Sequence, residues 1–469
     1  MKYHKFIPLI LLAGCVPTAT PYAPLNHQVS LPASLQPPGA PVHTQTDTSL
    51  PDHWWTKFQN PELNRLVDDA LRHNPGLQAT HSRMETAQAQ VMQSQSALYP
   101  HLNSVAALTH IRISRNGPTE PYSGVTANLA TFFPLFVNYD LDLWGRDDEL
   151  IDAAKASAEI RTAQYRQSAL MLSSAVIKTF FALTSATRMV ELQTAVVHAQ
   201  NDKLHLLERA FQAGLSPLPP ASAASSAWHE EQATLEQLKR HQDVLKFTLY
   251  ALLGRNPEDT NLATSRPIPH NFPLPETLTL DLISQRPDVQ AALWKIKTRI
   301  HLEKAARLAY YPNINLFGLM GYNSIGISDL ITPAGGTYAY GPAVDLPIFE
   351  GGLLEGRLHA SEAERDAAIH DYNQTLVNAV RDIANALTTL NHHRTQLDNL
   401  SAAVANQTTE TESDRVNYQS GVSGKLPFIN ASIQLEKEKM KETAELLAWL
   451  TSITDTATSL GGGFGRWPA

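Results

Sequence analysis

The chain repeats itself, and that repeat constrains its fold more than any other feature. Leu71-Arg72-His73-Asn74-Pro75-Gly76-Leu77 is answered by Ile283-Ser284-Gln285-Arg286-Pro287-Asp288-Val289. Ala97-Leu98-Tyr99-Pro100-His101-Leu102-Asn103 is answered by Ala309-Tyr310-Tyr311-Pro312-Asn313-Ile314-Asn315. Pro75 to Pro287 and Pro100 to Pro312 share one offset, 212 residues. Further on, Phe211-Gln212-Ala213-Gly214-Leu215-Ser216 matches Tyr418-Gln419-Ser420-Gly421-Val422-Ser423 at an offset of 207, so a small indel separates the blocks. One architecture is therefore written twice, over residues 61–260 and 261–460, with a short tail at 461–469.

Within each half the hydrophobic period changes twice. Pro61 to Ala97 reads as helix with a break at Pro75. Beyond Pro100 the period becomes two. Leu102, Ser104, Ala106 and Leu108 mark a weaker strand, and Leu135, Val137, Tyr139, Leu141 and Leu143 alternate with Phe136, Asn138, Asp140 and Asp142. In the second half Ile314, Leu316, Gly318, Met320 and Tyr322 mark one strand, and Tyr338, Tyr340, Pro342, Val344 and Leu346 the next. Stretches rich in Gly, Pro, Ser and Asn, Ser114 to Gly124 and Asn323 to Gly336, make each pair a hairpin with a long tip loop. The spans from about Arg146 to Ala213 and from about Gly351 to Ser420 lack proline and predict two very long helices. Leu376, Val380, Ile383, Leu387 and Leu390 follow a heptad seam. Gly214 and Gly421 suit left-handed caps at the two ends. Shorter helices return from about Ala221 to Leu253 and Asn430 to Leu460.

Each expected strand has about ten residues, the length that spans a bilayer when tilted. A sheet edge left open in lipid strands its N–H and C=O groups at several kcal/mol each, and membrane barrels need about eight strands to close. Four strands therefore leave two options: a wholly soluble sheet, or a homo-oligomer whose copies pool strands, two copies giving eight and three giving twelve.

Composition narrows the field. Lys and Arg number 37 against 45 Asp and Glu, a net charge of −8, and with no basic block this argues against a nucleic-acid partner. With 17% charged and 43% hydrophobic residues the chain is too apolar for disorder and too sparsely charged for an ordinary exposed coiled coil. The single cysteine, Cys15, excludes an intrachain disulfide and a zinc cluster of several cysteines. Lys2, Lys5 and the apolar run Phe6 to Leu12 read as a signal peptide over 1–14. Leu12-Ala13-Gly14-Cys15 resembles a bacterial lipobox, which implies acylation of Cys15; the alternative is a chance cysteine after a short signal. Val16 rather than Asp in the second mature position implies sorting to the outer membrane of a Gram-negative cell. Residues 15–60, rich in Pro, Thr, Ser and Ala up to Pro51, read as an extended tether.

The resemblance rests on Trp54-Trp55-Thr56-Lys57-Phe58, Pro61-Glu62-Leu63, Asn74-Pro75, Tyr99-Pro100 and Leu141-Asp142-Leu143-Trp144-Gly145-Arg146. It continues through Leu252-Leu253-Gly254, Gln285-Arg286-Pro287-Asp288-Val289 and Pro347-Ile348-Phe349-Glu350-Gly351-Gly352. These motifs, in this order, resemble the outer-membrane efflux factors, the TolC-like family, in its NodT and OprM lipoprotein branch. The resemblance implies a homotrimer: a twelve-stranded transmembrane β-barrel, four strands per protomer, continued by a twelve-helix periplasmic α-barrel. It implies the exit duct of a tripartite pump for small organic compounds or drugs, with a periplasmic adaptor and an inner-membrane transporter as partners. Adaptor docking falls at the helix tips, Gly214, Leu215, Ser216, Gly421, Val422 and Ser423. A pore constriction falls at Leu426 and Asn430, where the family's acidic ring is here an amide. Pro427 and Pro217-Leu218-Pro219-Pro220 depart from the family's tips. The same fold also serves as the exit duct of protein-secretion systems, and a non-conducting periplasmic coiled-coil lipoprotein is the rival from another class.

No enzymatic chemistry is expected. His229-Glu230-Glu231-Gln232-Ala233 begins like a metalloprotease motif but lacks the second histidine. Gly461-Gly462-Gly463-Phe464-Gly465 follows a helix rather than a strand and makes no dinucleotide site. His198, Asp202 and His205 share a helical face with metal-compatible spacing, although eighteen scattered histidines make coincidence the simpler reading. His392 and His393 project to different faces and read as solvated. No cofactor and no metal site is assigned.

Overall fold

The computed structural model describes residues 21–25, 53–116, 124–256 and 283–462. Cys15, the signal peptide, most of the tether, the junction between the two sequence halves and the tail beyond Gly462 lie outside the described residues. In chain order the main elements are α1 (Pro61–His73), α2 (Pro75–Gln95), β1 (His101–Arg112), β2 (Thr126–Leu141), α3 (Arg146–Gln212) and α4 (Leu218–Leu253). Then come α5 (Pro287–Leu308), β3 (Asn313–Ile325), β4 (Gly336–Asp345), α6 (Leu353–Gln419) and α7 (Lys425–Ser459). The order helix, hairpin, long helix, return helix thus occurs twice. α3 and α6 have 67 residues each, about 100 Å at the standard rise.

Local chemistry sets the boundaries. Asn60 caps α1, its side-chain oxygen accepting from the backbone N–H of Glu62 and Leu63 at 3.1 Å each, with Pro61 in the first turn where no donor is needed. Asn74 stands between α1 and α2: its oxygen accepts from Leu77 N–H at 3.0 Å and its amide donates to the Leu252 carbonyl at 2.9 Å. Asp142 was placed by alternation in a strand, but β2 ends at Leu141. Its carboxylate instead accepts from the backbone N–H of Arg146, Asp147 and Asp148 at 2.7, 2.9 and 3.0 Å, a negative charge at the N-terminus of α3. The return helices begin earlier than expected, α4 at Leu218 and α7 at Lys425. Their prolines, Pro219, Pro220 and Pro427, occupy the first turn, where a missing N–H costs no hydrogen bond.

Two units form, each taking segments from both sequence halves. The first comprises Met84–Arg161, Ala292–Tyr372 and the N-terminal residues to Leu25. It holds one antiparallel sheet in the order β1-β2-β3-β4, so the hairpins of the two halves join through β2 and β3. β2 starts at Thr126, well before Leu135. A bulge hides that stretch from an alternation reading. Phe132 pairs with Tyr322 and Leu135 with Met320, so Phe133 and Pro134 together oppose Gly321. Pro134 has no N–H to give the ladder and fits the bulge, and a Cβ on Gly321 would lie 2.2 Å from the Phe132 carbonyl oxygen.

The second unit comprises Asn26–Arg83, Thr162–Ala291 and Asn373–Ala469. A short 3-10 turn at Trp54–Phe58 buries Trp54, Trp55 and Phe58, and Phe58 meets Phe181 edge-on at 5.0 Å. α1 lays Leu63, Leu66, Val67 and Ala70 into the same unit. One window of α3 is apolar enough by length and composition to cross a membrane, with mean hydropathy 1.5, yet 61% of it is buried, as in a core helix.

Candidate functional site

The resemblance places docking and closure at the ends of the two long helices. α3 stops as Gly214 turns to φ +70°, with Leu215 N–H bonded to the Ala210 carbonyl at 2.8 Å; α6 stops the same way at Gly421, φ +75°, with Val422 N–H on the Asn417 carbonyl at 2.9 Å. No atom lies within 4 Å of a Cβ built on either glycine, so only the left-handed backbone demands glycine there. Leu215 and Val422, the residues that follow, are 83% and 76% exposed. Two apolar side chains thus stand in solvent at the helix tips, each flanked by a serine.

Behind the second tip, Tyr418 and Phe428 stack at 6.4 Å with planes 5° apart. Val196 of α3 packs with Ile429 and Ile433 of α7, with Ala199 and Leu206 against them. Lys425 Nζ donates to Asp202 Oδ2 at 3.1 Å. Leu426 is half-buried and Asn430 exposed; four residues apart on α7, they lie one above the other on one helical face. α7 therefore presents both in one column.

A second tie between the repeats lies further along. Glu231 of α4 accepts from Lys437 of α7 at 2.7 Å and from the Gln193 amide of α3, also at 2.7 Å. Burial pushes this carboxyl upward, but the ammonium and the amide outweigh it and hold the group below its ordinary range. Glu231 belongs to the truncated metalloprotease-like run, and this is its use. The metal-compatible face is likewise taken apart: Asp202 serves Lys425, and His205 Nδ1 sits 3.3 Å from Glu208. Among the described residues no cluster of three metal-capable side chains forms. His393 is not solvated as the sequence implied; its Nδ1 lies 2.6 Å from the buried Glu445, while His392 is exposed.

The sheet of the first unit is a separate candidate surface. Directly paired residues share a face, and the register aligns Leu102, Val137, Gly318 and Tyr340 in one row. Leu135, Met320 and Tyr338 form the next, then Tyr139, Leu316 and Pro342, then Leu141, Ile314 and Val344. That face is apolar with a tyrosine fringe. The opposite face carries His101, Asn103, Asn138, Asp140, Asn315 and Asp345 among Phe136, Phe317 and Leu319. Asp140 Oδ1 accepts from Asn315 at 2.7 Å and Asn313 at 3.3 Å. Where strands meet helices, Trp144 donates to the Pro312 carbonyl at 2.7 Å and lies 5.1 Å from Tyr311, with Phe349 89% exposed nearby in sequence to β4.

Two features go beyond the sequence reading, which marked Arg286 and Asp288 as a motif but gave them no role and did not mark Arg365. A cavity of about 510 Å³ in the second unit is lined by Arg286, Asp288, Asp382, Asn385, Asp455 and Thr458 among others. Arg286 spans its floor, bonded to Asp288 and to the Ser459 carbonyl at 2.8 Å. In the first unit, Pro21 and Tyr22, within the stretch expected as a tether, lie against a buried arginine, Arg365.

Comparison with known proteins agrees with this geometry. A family model described as outer membrane efflux protein matches residues 66–255 and 278–462. The chain is 24% identical over 477 aligned positions to the multidrug resistance outer membrane protein MdtQ of Escherichia coli O6:H1, covering 98% of this chain and 97% of that one. It is 26% identical to the multidrug resistance outer membrane protein MdtP of Escherichia coli K12, covering 98% and 95%. Among solved structures it superposes on the outer-membrane channel OprN with a TM-score of 0.82 at 21% identity, covering 96% of this chain and all of that one. It superposes on the outer membrane protein VceC of Vibrio cholerae at 0.76 and 26% identity, covering 88% and 99%.

Proposed function

The chain belongs to the outer membrane efflux protein family, and from that premise we propose that three copies form the exit duct of a tripartite pump for small organic compounds. That it is an outer-membrane channel protein and not an enzyme follows from the family. The trimer, its partners and its cargo are the reading advanced here.

The observation that carries it is a sheet with one apolar face, one polar face and two open edges. β1 and β4 pair on one side only. In lipid the outer edge of each would strand its backbone donors and acceptors, a cost far above any stability one protomer can supply. Joining β4 of one copy to β1 of the next removes every edge. The apolar rows then face lipid, Tyr338 and Tyr340 among them, and the Asn- and Asp-bearing face lines a wet lumen. Acylation of Cys15 adds a second attachment to the same membrane.

Below the membrane, α3, α4, α6 and α7 with α2 and α5 form the wall of the duct. Leu426 and Asn430 ring its lower end as the constriction. The exposed Leu215 and Val422, with Gly214, Ser216, Gly421 and Ser423, form the contact surface for a periplasmic adaptor that connects to an inner-membrane transporter. Energy for transport comes from that transporter, since this chain carries no nucleotide loop.

Paired cysteines test the assembly. One cysteine on the outer edge of β1 and a panel along β4, under oxidation, should give covalent species that stop at three chains. The same purified protein should conduct ions in planar bilayers. Bands stopping at one chain, together with no conductance, would remove the duct.

A further inference from the structure

The sheet face that carries Asp140 and Asp345 is not uniformly polar. Phe136 of β2 pairs directly with Leu319 of β3, and Asn138 with Phe317, so three apolar side chains occupy neighbouring places on that face. On β4 their partners are small: Gly341 stands opposite Phe317 and Ala339 opposite Leu319. No atom lies within 4 Å of a Cβ built on Gly341, so open space flanks the phenylalanine. Polar rows bound the patch, Asp140 with Asn315 toward the helices and Thr131 with Asn323 toward the other end. A water-filled barrel turns apolar residues outward and polar ones inward, and this face breaks that rule for two consecutive rows. Its charge has one sign. Asp140 is held by the amides of Asn313 and Asn315. The only Lys or Arg in the four strands is Arg112, an even number of residues from Leu102 along β1 and so on the opposite face. His101 is the one ionisable nitrogen of the strands on the carboxylate face. Successive rows of one face lie about 7 Å apart, which sets Asp140 a single row from Phe317.

We propose that Phe136, Phe317 and Leu319, with Asp140 one row away, form a collar that binds lipophilic organic cations as they pass. This rests on the reading that the carboxylate face lines the lumen of the assembled barrel. It narrows the cargo from small organic compounds to those with an aromatic body and a delocalised positive charge. The rings of such a molecule leave water against the apolar patch. Its charge is drawn both to the phenylalanine faces and to the carboxylates. A small alkylammonium of the same charge lacks the apolar body, and an aromatic anion is repelled by Asp140 and Asp345. Each contact is weak and recurs in every copy around the barrel. That suits a conduit, whose sites must attract cargo enough to admit it and release it readily enough to let it leave.

The test uses the full-length protein in outer-membrane vesicles and follows alkylation of Gly341→Cys by iodoacetamide, with the parent, which has only Cys15, as baseline. Iodoacetamide attacks thiolate, so a thiol in a wet lumen reacts and one in lipid does not. Gly341→Cys should react at least tenfold faster than Met320→Cys, which sits on the opposite face. Tetraphenylphosphonium should slow the Gly341→Cys reaction at least fivefold, while ethylammonium and benzenesulfonate at equal concentration change it by less than twofold. Adding Phe136→Ser and Phe317→Ser should reduce that protection to less than twofold, and Asp140→Asn alone should weaken it at least threefold. Heat-resistant oligomer on a gel checks that each variant assembles, and Leu319→Asn, the milder change, should halve the protection or better. If Met320→Cys reacts faster than Gly341→Cys, the lumen reading fails and the collar falls with it. If Gly341→Cys reacts fast but all three probes act alike, or if protection survives the serine or Asp140→Asn variants, the collar is overturned and the lumen stands.

Discussion

If Asn430 stands in the constriction as proposed, one atom of difference from an acid sets its electrostatic character. It is exposed on α7, four residues beyond the half-buried Leu426, and would bring an amide, not a carboxylate, to the proposed ring. An amide ring narrows a pore by size and hydrogen bonding; a carboxylate ring also concentrates cations. Asn430→Asp should therefore raise the preference for K⁺ over Cl⁻ in planar bilayers several-fold while leaving oligomer yield unchanged. An unaltered reversal potential would move the constriction elsewhere. The tip glycines were legible in the sequence because helix ends announce themselves through glycine, whereas Leu426 and Asn430 were placed by resemblance alone. What Lys425, Glu231 and Arg365 do was not legible, since their partners Asp202, Lys437 and Glu303 lie 62 to 223 residues away. No local pattern records such pairings.

At the scale of elements, the long helices and the four strands could be read from period alone, and the places where the reading slipped have definite physical causes. Alternation failed above Leu135 because Phe133 and Pro134 share one partner position, which reverses the phase. It overran at Asp142, where an acidic residue in strand phase proves to be the cap of α3. The return helices begin at Leu218 and Lys425, ahead of the expected Ala221 and Asn430, because the first turn of a helix accepts proline. The bulge also makes Gly321 irreplaceable. A side chain there collides with the backbone of Phe132 and Phe133, so Gly321→Val should force β2 and β3 apart and cost at least about 3 kcal/mol. Heat-resistant oligomer should be lost at a temperature at which the parent survives, whereas Gly341→Ala, with nothing within 4 Å, should leave it unaltered.

For the molecule as a whole, duplication explains why the sheet has four strands and why neither half suffices. It also explains why ties between halves matter. Glu231 joins α4 of the first repeat to α7 of the second. Its carboxyl titrates below the ordinary range, so the tie is fully present above the unfolded value near 4.3 and fades as pH falls through the lower folded value. Glu231→Gln should thus lower stability by about 1 kcal/mol at pH 7, with the gap to the parent closing in strong acid. A pH series of thermal melts checks this; a constant gap would mean that Glu231 acts by packing. The unlike return points carry one more consequence. The first turn runs through Pro217, Leu218, Pro219 and Pro220 with no charge, while the second bears Lys425 paired to Asp202. Around a threefold axis these would alternate like two kinds of tooth on one cogwheel. Any partner that docks on such a ring would meet two unlike shapes, one charged and one not, in alternation.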